Sequence, residues 1–232
     1  MQTLIDLDTS IFLYLNGLHS HFFDTFMMLF SGKLIWAPMY AAFLWMLWRC
    51  MNWKAALTLT LMAVVLIALA DQTCASVIRP YIERIRPSRL ENELSAMVHV
   101  VNEYRGGLYS FPSCHAANSF AFAVFASLIV KHRAWTWFIL LWALVNSYSR
   151  IYLGVHFPGD LLVGAIIGSF VAFIVYKVSL LIARQLCHSR HPFAPGRNTD
   201  LCIGTLCVRP VAVVMIVGFL TVAAMIAASI CQ

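Results

Sequence analysis

Long apolar runs, broken by short polar connections, recur along the whole chain. A helix needs about 20 apolar residues to cross a bilayer, and fewer where flanking side chains reach back to the interface. The pattern predicts six membrane-spanning helices at residues 34–49, 55–78, 115–130, 134–149, 160–183 and 208–230. Several of these runs are short, so we expect a thin hydrophobic footprint or flanking side chains that snorkel.

The first 33 residues follow a different pattern. The segments "DTSIFLYLNG" and "FFDTFMMLF" mix apolar and polar positions, which predicts amphipathic helices lying in the membrane interface. A seventh span here would reverse the orientation of every later helix, and the charge distribution argues against it. We therefore expect an all-α, polytopic membrane protein, a six-helix transmembrane bundle with N-terminal interfacial helices.

Composition agrees with a membrane protein. Of the 232 residues, 61% are hydrophobic and only 11% are charged, against about 25% charged in a soluble domain. The net charge of +6 raises the possibility of nucleic-acid binding, but no basic stripe or aromatic-basic alternation supports it. The first residues are acidic where a cleaved signal peptide would be basic, so we expect none.

Basic residues in the short connections predict the orientation. Arg49 and Lys54 flank the first connection, Lys131 and Arg133 the third, and the fifth is also rich in arginine. These odd-numbered connections are therefore expected on the cytoplasmic side. The simplest division is a single domain with four parts: an interfacial segment (1–33), the core spans (34–183), a cytoplasmic loop (184–207) and the last span (208–232).

Away from the cytoplasmic turns, charged residues near membrane depth concentrate in three clusters. They are "RPYIERIRPSR" (79–89), "SFPSCHAANS" (110–119) and "SRIYLGVHFPGD" (149–160). Charged groups at this depth are costly and usually mark function. Because the predicted spans alternate in direction, all three clusters fall at the same outer surface, where we expect them to form one site.

The residue types in these clusters suit a phosphoryl group. Arginine is always charged and binds phosphate with two parallel hydrogen bonds, and a helix that begins at "PSCH" favours an anion at its N-terminus. His115 and His156 can exchange protons near neutral pH. Asp160, four residues after His156, can accept a hydrogen bond from one ring nitrogen and leave the other free to attack.

The ordered set of motifs resembles a known family. "RPYIERIRP" has the form Arg-x6-Arg-Pro, "PSCH" is close to Pro-Ser-Gly-His, and the third cluster reads Ser-Arg-x5-His-x3-Asp. Together, on six spans, they resemble the type-2 phosphatidic acid phosphatase superfamily of membrane lipid phosphatases. The resemblance implies a metal-independent, two-step phosphate hydrolysis that needs no cofactor.

The resemblance also implies a role for each motif residue. His156 attacks phosphorus to form a phosphohistidine, and Asp160 orients it. His115 protonates the leaving lipid oxygen and then activates the water that cleaves the intermediate. The phosphate oxygens are held as charge builds by Arg79, Arg86, Ser113, the backbone N–H of Cys114, and Arg150.

Two positions depart from the family pattern. Lysine is usual where Arg79 stands, and glycine is usual where Cys114 stands. Arginine keeps the charge but changes its reach, and a side chain at position 114 constrains how closely the backbone can approach phosphate unless the thiol points away. Neither change removes a proton-transfer group, so activity is still expected.

Other charged and polar residues lie outside the motifs. Arg84 and Arg89 are expected either to be solvated or to bind lipid headgroups, and Asp71, inside the second span, is expected to pair with a buried donor. The long outer loop (90–111) predicts a short amphipathic helix over the site with "GG" as a hinge, either gating the substrate or simply covering the surface. Tyr109 and Ser110 are expected in the wall of the site.

Two other chemistries fail on spacing. A thiol phosphatase uses Cys-x5-Arg, but Arg79 follows Cys74 one residue too early and Cys114 has no arginine at that distance. The cysteines and histidines of the fifth connection match no standard zinc spacing, and these are Cys187, His188, His191, Cys202 and Cys207. We therefore expect no metal site.

The motif residues are expected to bind the phosphate, and they do not identify the lipid that carries it. Undecaprenyl diphosphate, lipid A, phosphatidylglycerol phosphate and phosphatidic acid all remain candidates, with the first two preferred. The expected location is the bacterial inner membrane with the site facing the periplasm, without nucleic acid or an obligate protein partner. A lipid-to-lipid phosphotransferase and an anion transporter remain alternatives, whereas the soluble vanadate haloperoxidases that share these motifs lack membrane spans.

Overall fold

The computed structural model describes residues 2–193, 201–203 and 206–231, and most of them are helical. The α-helices, in chain order, are α1 (Gln2–Asn16), α2 (His21–Phe30), α3 (Ala37–Cys50), α4 (Trp53–Gln72), α5 (Arg79–Ile82), α6 (Cys114–Val130), α7 (Arg133–Tyr152), α8 (Pro158–Cys187) and α9 (Pro210–Ile230). A π-helical segment, Thr73–Ile78, joins α4 to α5. Short 3₁₀ helices occupy Leu34–Trp36, Glu93–Met97 and Val101–Glu103. Two short strands, β1 (Leu201–Ile203) and β2 (Leu206–Val208), pair antiparallel before α9.

Each of the six predicted apolar runs contains a helix: α3, α4, α6, α7, α8 and α9. By length and composition, three helices of the described chain can cross a membrane, namely Trp53–Ile82, Pro158–Cys187 and Pro210–Ile230. A fourth results if α2 and the Leu34–Cys50 helix, which bend by 70°, act as one broken span. Helix α6 is apolar but has only 17 residues, in keeping with the short runs of the sequence.

Helices α6 and α8 approach each other closely at two glycines. A Cβ at Gly164 would lie 2.4 Å from the carbonyl oxygen of Ser113, and one at Gly168 would lie 2.0 Å from that of Ala117. Small residues four apart let two backbones touch, as is common between membrane helices. The contact brings the first turn of α6 beside the first turn of α8, and both turns carry motif residues.

Aromatic side chains fill the core on the other side of the bundle. Trp36, Phe43, Phe125 and Trp135 are fully buried, and Trp36 meets Trp142 edge to face at a ring distance of 5.5 Å. Large aromatic surfaces dominate core stability, and the edge-to-face arrangement adds to it. The core thus fixes α3, α6 and α7 relative to one another, and with them the ends that carry the polar clusters.

Helix α1 turns one side toward the rest of the protein. One face carries Asp8, Phe12 and Asn16, spaced four residues apart, and the last two are buried. Other sides of the helix expose apolar residues, which are Leu7, Ile11 and Tyr14, and Leu4, one turn before Asp8, is exposed as well. Residues four apart lie on the same side of a helix, so α1 turns one continuous stripe toward the protein.

Candidate active site

A cavity of about 390 Å³ lies where α5 and α6 begin and α7 ends. Residues from all three polar clusters line it, so the structure joins segments that are far apart in sequence. Of the eight residues predicted for the site, six line this cavity: Arg79, Arg86, Cys114, His115, Arg150 and His156. Asp160 lies behind His156, and Ser113 lies at the N-terminus of α6 away from the cavity wall.

The turn between α7 and α8 carries His156. Gly154 has a φ of +71°, and a Cβ there would lie 2.6 Å from Val98, so both the backbone angle and the space require glycine. Pro158 begins α8, where its missing N–H costs nothing. The turn is closed by a hydrogen bond from the Val155 N–H to the carbonyl of Arg150 at 3.0 Å.

His156 and Asp160 are an oriented pair at the back of the cavity. The Nδ1 of His156 lies 3.5 Å from Asp160 Oδ2, and Arg86 Nη1 lies 3.0 Å from His156 Nε2. A guanidinium can only donate, so Nε2 accepts and carries the lone pair, while the ring proton sits on Nδ1 toward Asp160. The 3.5 Å separation is long for a hydrogen bond but close enough for a strong electrostatic interaction in a buried site.

Burial keeps the imidazole neutral. His156 is 2% exposed and Asp160 is fully buried. Desolvation, followed by the charges of Arg86 and Arg150, holds the pKa of His156 well below its usual value. At neutral pH the ring is therefore unprotonated at Nε2, which is the state that a nucleophile requires.

Three arginines surround the cavity with unused donors. Arg86 also donates to the carbonyl of Val155 at 3.0 Å, Arg150 donates to Tyr104 Oη at 3.1 Å and to Ser31 Oγ, and Arg79 donates to the carbonyl of Pro112 at 3.0 Å. Among the described residues, the Nε of each of these three arginines is buried and has no hydrogen-bond partner. Buried donors normally have hydrogen-bond partners, so we expect a ligand bound in the cavity to supply acceptor atoms to these guanidinium groups.

The three arginines of the cavity are not ion-paired in the part of the chain that the structure describes, although the carboxylate of Asp71 also lines it. Within the described residues, Arg79, Arg86 and Arg150 form no salt bridge. Desolvation and then the charges of Arg150 and Arg79 lower the pKa of Arg86 to about 10, which still leaves it charged at neutral pH. A phosphate dianion supplies the missing negative charge and enough oxygens for all three guanidinium groups.

His115 is held by a residue that the sequence did not single out. Its Nε2 hydrogen-bonds to Asn146 Oδ1, and Asn146 is buried on α7. Because the amide oxygen accepts, this contact places the proton of neutral His115 on Nε2 and leaves Nδ1 as the free acceptor. An asparagine within an apolar helix gave no motif signal, although a buried amide in a span is unusual enough to have suggested a partner.

Ser113 and Cys114, at the start of α6, make different contacts. Ser113 is fully buried, and its side chain accepts a hydrogen bond from the Ala116 N–H as the cap of α6. Cys114 lines the cavity with its Sγ 2.9 Å from Arg79 Nη2. The two positions that depart from the family pattern, 79 and 114, therefore contact each other.

Six further residues line the cavity, and three of them, Asp71, Ala75 and Asn118, come from the end of α4, the π-helical segment and α6. The other three come from more distant segments. They are Ser31, Lys33 and Tyr104, of which the first two follow α2 and the third belongs to the outer loop. Burial raises the pKa of the Tyr104 hydroxyl, but the charges of Arg150 and Arg86 outweigh it and lower the pKa overall. Nothing in their local sequence distinguishes them, because they reach the site only through the packing of distant segments.

The outer loop forms a cover without the expected α-helix. It contains the two short 3₁₀ helices and is tied down by hydrogen bonds between Arg105 and Ser88. A Cβ at Gly106 would lie 3.3 Å from the Arg86 guanidinium, so the loop backbone packs directly on that side chain. Tyr109 and Ser110, expected in the wall, are not among the residues that line the cavity.

The charged residues outside the motifs are paired. Arg84, expected at a solvated or lipid-contacting position, instead forms salt bridges with Asp8 at 2.8 Å and Asp160 at 3.0 Å. Arg89 pairs with Glu91 at 3.3 Å near the surface. Asp71 accepts a hydrogen bond from Nδ2 of the half-buried Asn118 at 3.1 Å, so it has a donor partner, although not a fully buried one.

A second, mostly apolar cavity of about 680 Å³ adjoins the first. It runs between α3, α4 and α6, and four residues line both cavities: Lys33, Asp71, His115 and Asn118. The cavity with the arginines therefore continues into an apolar groove along the bundle. Among the described residues no group of three or more His, Cys, Asp or Glu side chains is arranged to hold a metal ion; the side chains of Cys202 and Cys207 lie outside the described part.

Known proteins resemble this chain over most or all of its length. A family model described as the PAP2 superfamily matches residues 60–184. A lipid A 4'-phosphatase of Bacteroides thetaiotaomicron is 43% identical over 232 residues, which cover 100% of this chain and 99% of that protein. A lipid A 4'-phosphatase of Porphyromonas gingivalis is 36% identical over 196 residues, 84% of this chain and 83% of the relative. The crystal structure of Aquifex aeolicus LpxE is similar with a TM-score of 0.52 and 25% identity, covering 74% of this chain and 95% of that one.

Proposed function

The chain belongs to the PAP2 superfamily and is a membrane lipid phosphatase, and on this premise we propose that its substrate is lipid A, from which it hydrolyses a phosphate monoester on the sugar. The observation that carries this proposal is the 43% identity to a lipid A 4'-phosphatase over the whole chain. The ring of unpaired guanidinium donors supports a phosphate as the group that is bound.

The adjoining groove supports a lipid as the leaving group. A phosphate held by Arg79, Arg86 and Arg150 would have its ester oxygen next to His115, at the junction of the two cavities. The larger cavity is lined mainly by apolar side chains, which suits acyl chains that remain at membrane depth. A soluble phosphate ester has no acyl chains that could contact this apolar surface.

In the proposed reaction, Nε2 of His156 attacks phosphorus while the bond from phosphorus to the lipid oxygen breaks. For this step His115 is protonated on both ring nitrogens: with its Nε2–H held by Asn146, Nδ1 gives its proton to that oxygen and afterwards takes one from the water that attacks the phosphohistidine. Asp160 faces the Nδ1–H of His156 and stabilises the positive ring that forms. Arg79, Arg86 and Arg150, with the N–H of Cys114 at the start of α6, hold the phosphate oxygens as their charge develops. Ser113 contributes by capping that helix.

The proposed arrangement in the membrane is a single domain with six spans, α3, α4, α6, α7, α8 and α9. Helices α1 and α2 lie at the outer interface, and the site faces the periplasm from the inner membrane. The concentration of basic residues in the odd-numbered connections supports this orientation. Short spans such as α6 are accommodated by local thinning of the bilayer or by snorkelling flanks.

The substrate is tested by phosphate release from a panel of pure lipids. Wild-type protein and His156→Ala, both in detergent, are incubated with lipid A, undecaprenyl diphosphate, phosphatidylglycerol phosphate and phosphatidic acid. We expect the highest kcat/KM with lipid A and no release by the variant. Preference for another lipid would overturn lipid A as the substrate and keep the phosphatase. Transfer of phosphate to a second lipid without free phosphate would make the protein a phosphotransferase.

A further inference from the structure

The inner stripe of α1 holds both ends of the turn that carries His156. Asn16 Nδ2 donates to the carbonyls of Ile151 and Tyr152, at 3.1 and 2.9 Å, where α7 ends. Phe12 packs against Phe157 with ring centroids 5.2 Å apart. Asp8 Oδ1 accepts from the backbone N–H of Gly159 at 2.8 Å. Three residues, each four apart on one helix, therefore contact the turn along its length.

Asp8 also begins a chain of charges that ends at the catalytic pair. Its second oxygen, Oδ2, lies 2.8 Å from Arg84 Nη2, and Arg84 Nη1 lies 3.0 Å from Asp160 Oδ1. The Arg84 guanidinium stacks on the Phe157 ring at 3.7 Å, which fixes its position between the two carboxylates. The other oxygen of Asp160 accepts from the Phe157 N–H at 2.9 Å and faces His156.

The chain of charges explains how Arg84 can lie so close to Asp160. A lone guanidinium on a fully buried carboxylate would offset the negative charge that Asp160 presents to the histidine. Asp8 supplies a second negative charge on the far side of Arg84. The three side chains together carry a net charge of −1, and the catalytic pair keeps the charge it needs.

We propose that Asp8 and Arg84 are positioning residues for the phosphatase reaction: through Gly159 and Asp160 they fix the turn that carries His156 and set the negative charge that faces its ring. The proposal rests on the proposed role of His156 as the nucleophile. When the bond between Nε2 and phosphorus forms, the ring becomes positively charged with its proton on Nδ1, opposite Asp160. The negative charge that Asp8, Arg84 and Asp160 carry together stabilises this positive ring as the bond forms.

The proposal predicts an effect on kcat and little effect on KM. None of Asp8, Arg84 and Asp160 lines the cavity that receives the phosphate, so ground-state binding should be unchanged. A change confined to the charged transition state lowers kcat and kcat/KM together. A loosened phosphate site would instead raise KM.

The test uses Asp8→Asn, Arg84→Gln and the double variant, assayed with p-nitrophenyl phosphate in detergent. Asp8→Asn keeps the side-chain shape and leaves Arg84 unopposed on Asp160, so kcat should fall about tenfold, within the range of couplings measured in charge networks. In the double variant the unopposed cation is gone, and most of the lost kcat should return. KM and the inhibition constant of orthovanadate should stay within about twofold in all three variants.

Asp6→Asn is the matched control, because Asp6 is on the same helix and, among the described residues, its carboxylate accepts a hydrogen bond from Gln2 alone; its kcat should equal that of the wild type. Thermal unfolding is measured for every variant. If the losses in kcat of the two single variants add in the double variant, and if they follow the fall in unfolding temperature, the charge coupling is overturned. The role of α1 would then be purely structural. Because p-nitrophenyl phosphate needs the site and not the lipid, failure of lipid A as the substrate would not affect this test.

Discussion

At the scale of single residues, the feature that decides the chemistry is that the three guanidinium groups lining the cavity form no salt bridge within the described residues. Arg84 and Arg89, in the same segment as Arg79 and Arg86, do have acidic partners. The arginines with partners hold the structure, and those without them face the cavity. The motif spacing in the sequence identified the arginines that face the cavity. The structure adds the contacts that distinguish them from Arg84 and Arg89.

The three arginines that surround the cavity lead to a prediction about inhibitors. Orthovanadate resembles the trigonal bipyramidal transition state of phosphoryl transfer and should inhibit at micromolar concentrations, because it offers oxygens to all three arginines. A chelator such as EDTA should leave phosphate release unchanged. Loss of activity in EDTA that returns on adding a divalent metal would contradict a mechanism carried by histidine and arginine alone.

Asn146 provides a prediction about proton transfer. Asn146→Ala removes the hydrogen bond that orients His115, so the general acid should be misplaced. The expected loss is about 100-fold in kcat with a lipid substrate, and much less with p-nitrophenyl phosphate, whose leaving group needs no acid. Ser147→Ala is the control, since this neighbouring buried hydroxyl has no hydrogen-bond partner in the part of the chain that the structure describes. Equal losses with both substrates would contradict a role for Asn146 in leaving-group protonation.

At the scale of helices and loops, sequence patterns gave most of the elements because each long apolar run has one stable state in a membrane. All six predicted runs contain helices, and α8 begins at the proline that the third motif contains. The outer loop was less predictable. Its amphipathic spacing suggested a helix, but contacts with Arg86 and Ser88 hold it as short 3₁₀ helices instead. Such long-range contacts leave no periodic signal.

The α6–α8 contact allows a prediction about stability. Gly168→Ala would place a methyl group 2.0 Å from the carbonyl oxygen of Ala117, so the two helices must separate. Overpacking of this kind costs about 1–3 kcal/mol, and the midpoint of thermal unfolding in detergent should fall. Gly107→Ala is the control, because nothing lies within 4 Å of its added Cβ. An unchanged midpoint for Gly168→Ala would contradict the close contact.

At the scale of the whole molecule, the packing of the helices brings three distant clusters to one end of the bundle, as the alternation of the predicted spans led us to expect. This was predictable from the sequence because a helix that crosses a membrane must emerge on the other side. The contribution of α1 was not predictable in the same way. Asp8 and Asn16 look like ordinary polar positions of an interfacial helix, and only the folded chain shows them bonded to the catalytic turn.

The orientation of the bundle is open to a direct prediction. An epitope inserted after Glu91, in the outer loop, should be accessible to antibody in spheroplasts. An epitope after Lys131, between α6 and α7, should become accessible only after the membrane is permeabilised. Insertions that retain phosphatase activity report the native topology. The reverse pattern would place the site on the cytoplasmic side and contradict the charge-based orientation.

The most direct test of the central claim, that His156 takes the phosphate, is to trap the covalent intermediate. His115→Ala with p-nitrophenyl phosphate should form the intermediate but hydrolyse it slowly, because the leaving group needs no acid while the water still needs a base. After a rapid alkaline quench and digestion, mass spectrometry should find phosphate on the peptide that contains His156. Phosphate on another residue, or continued turnover with no phosphorylated peptide, would contradict the mechanism.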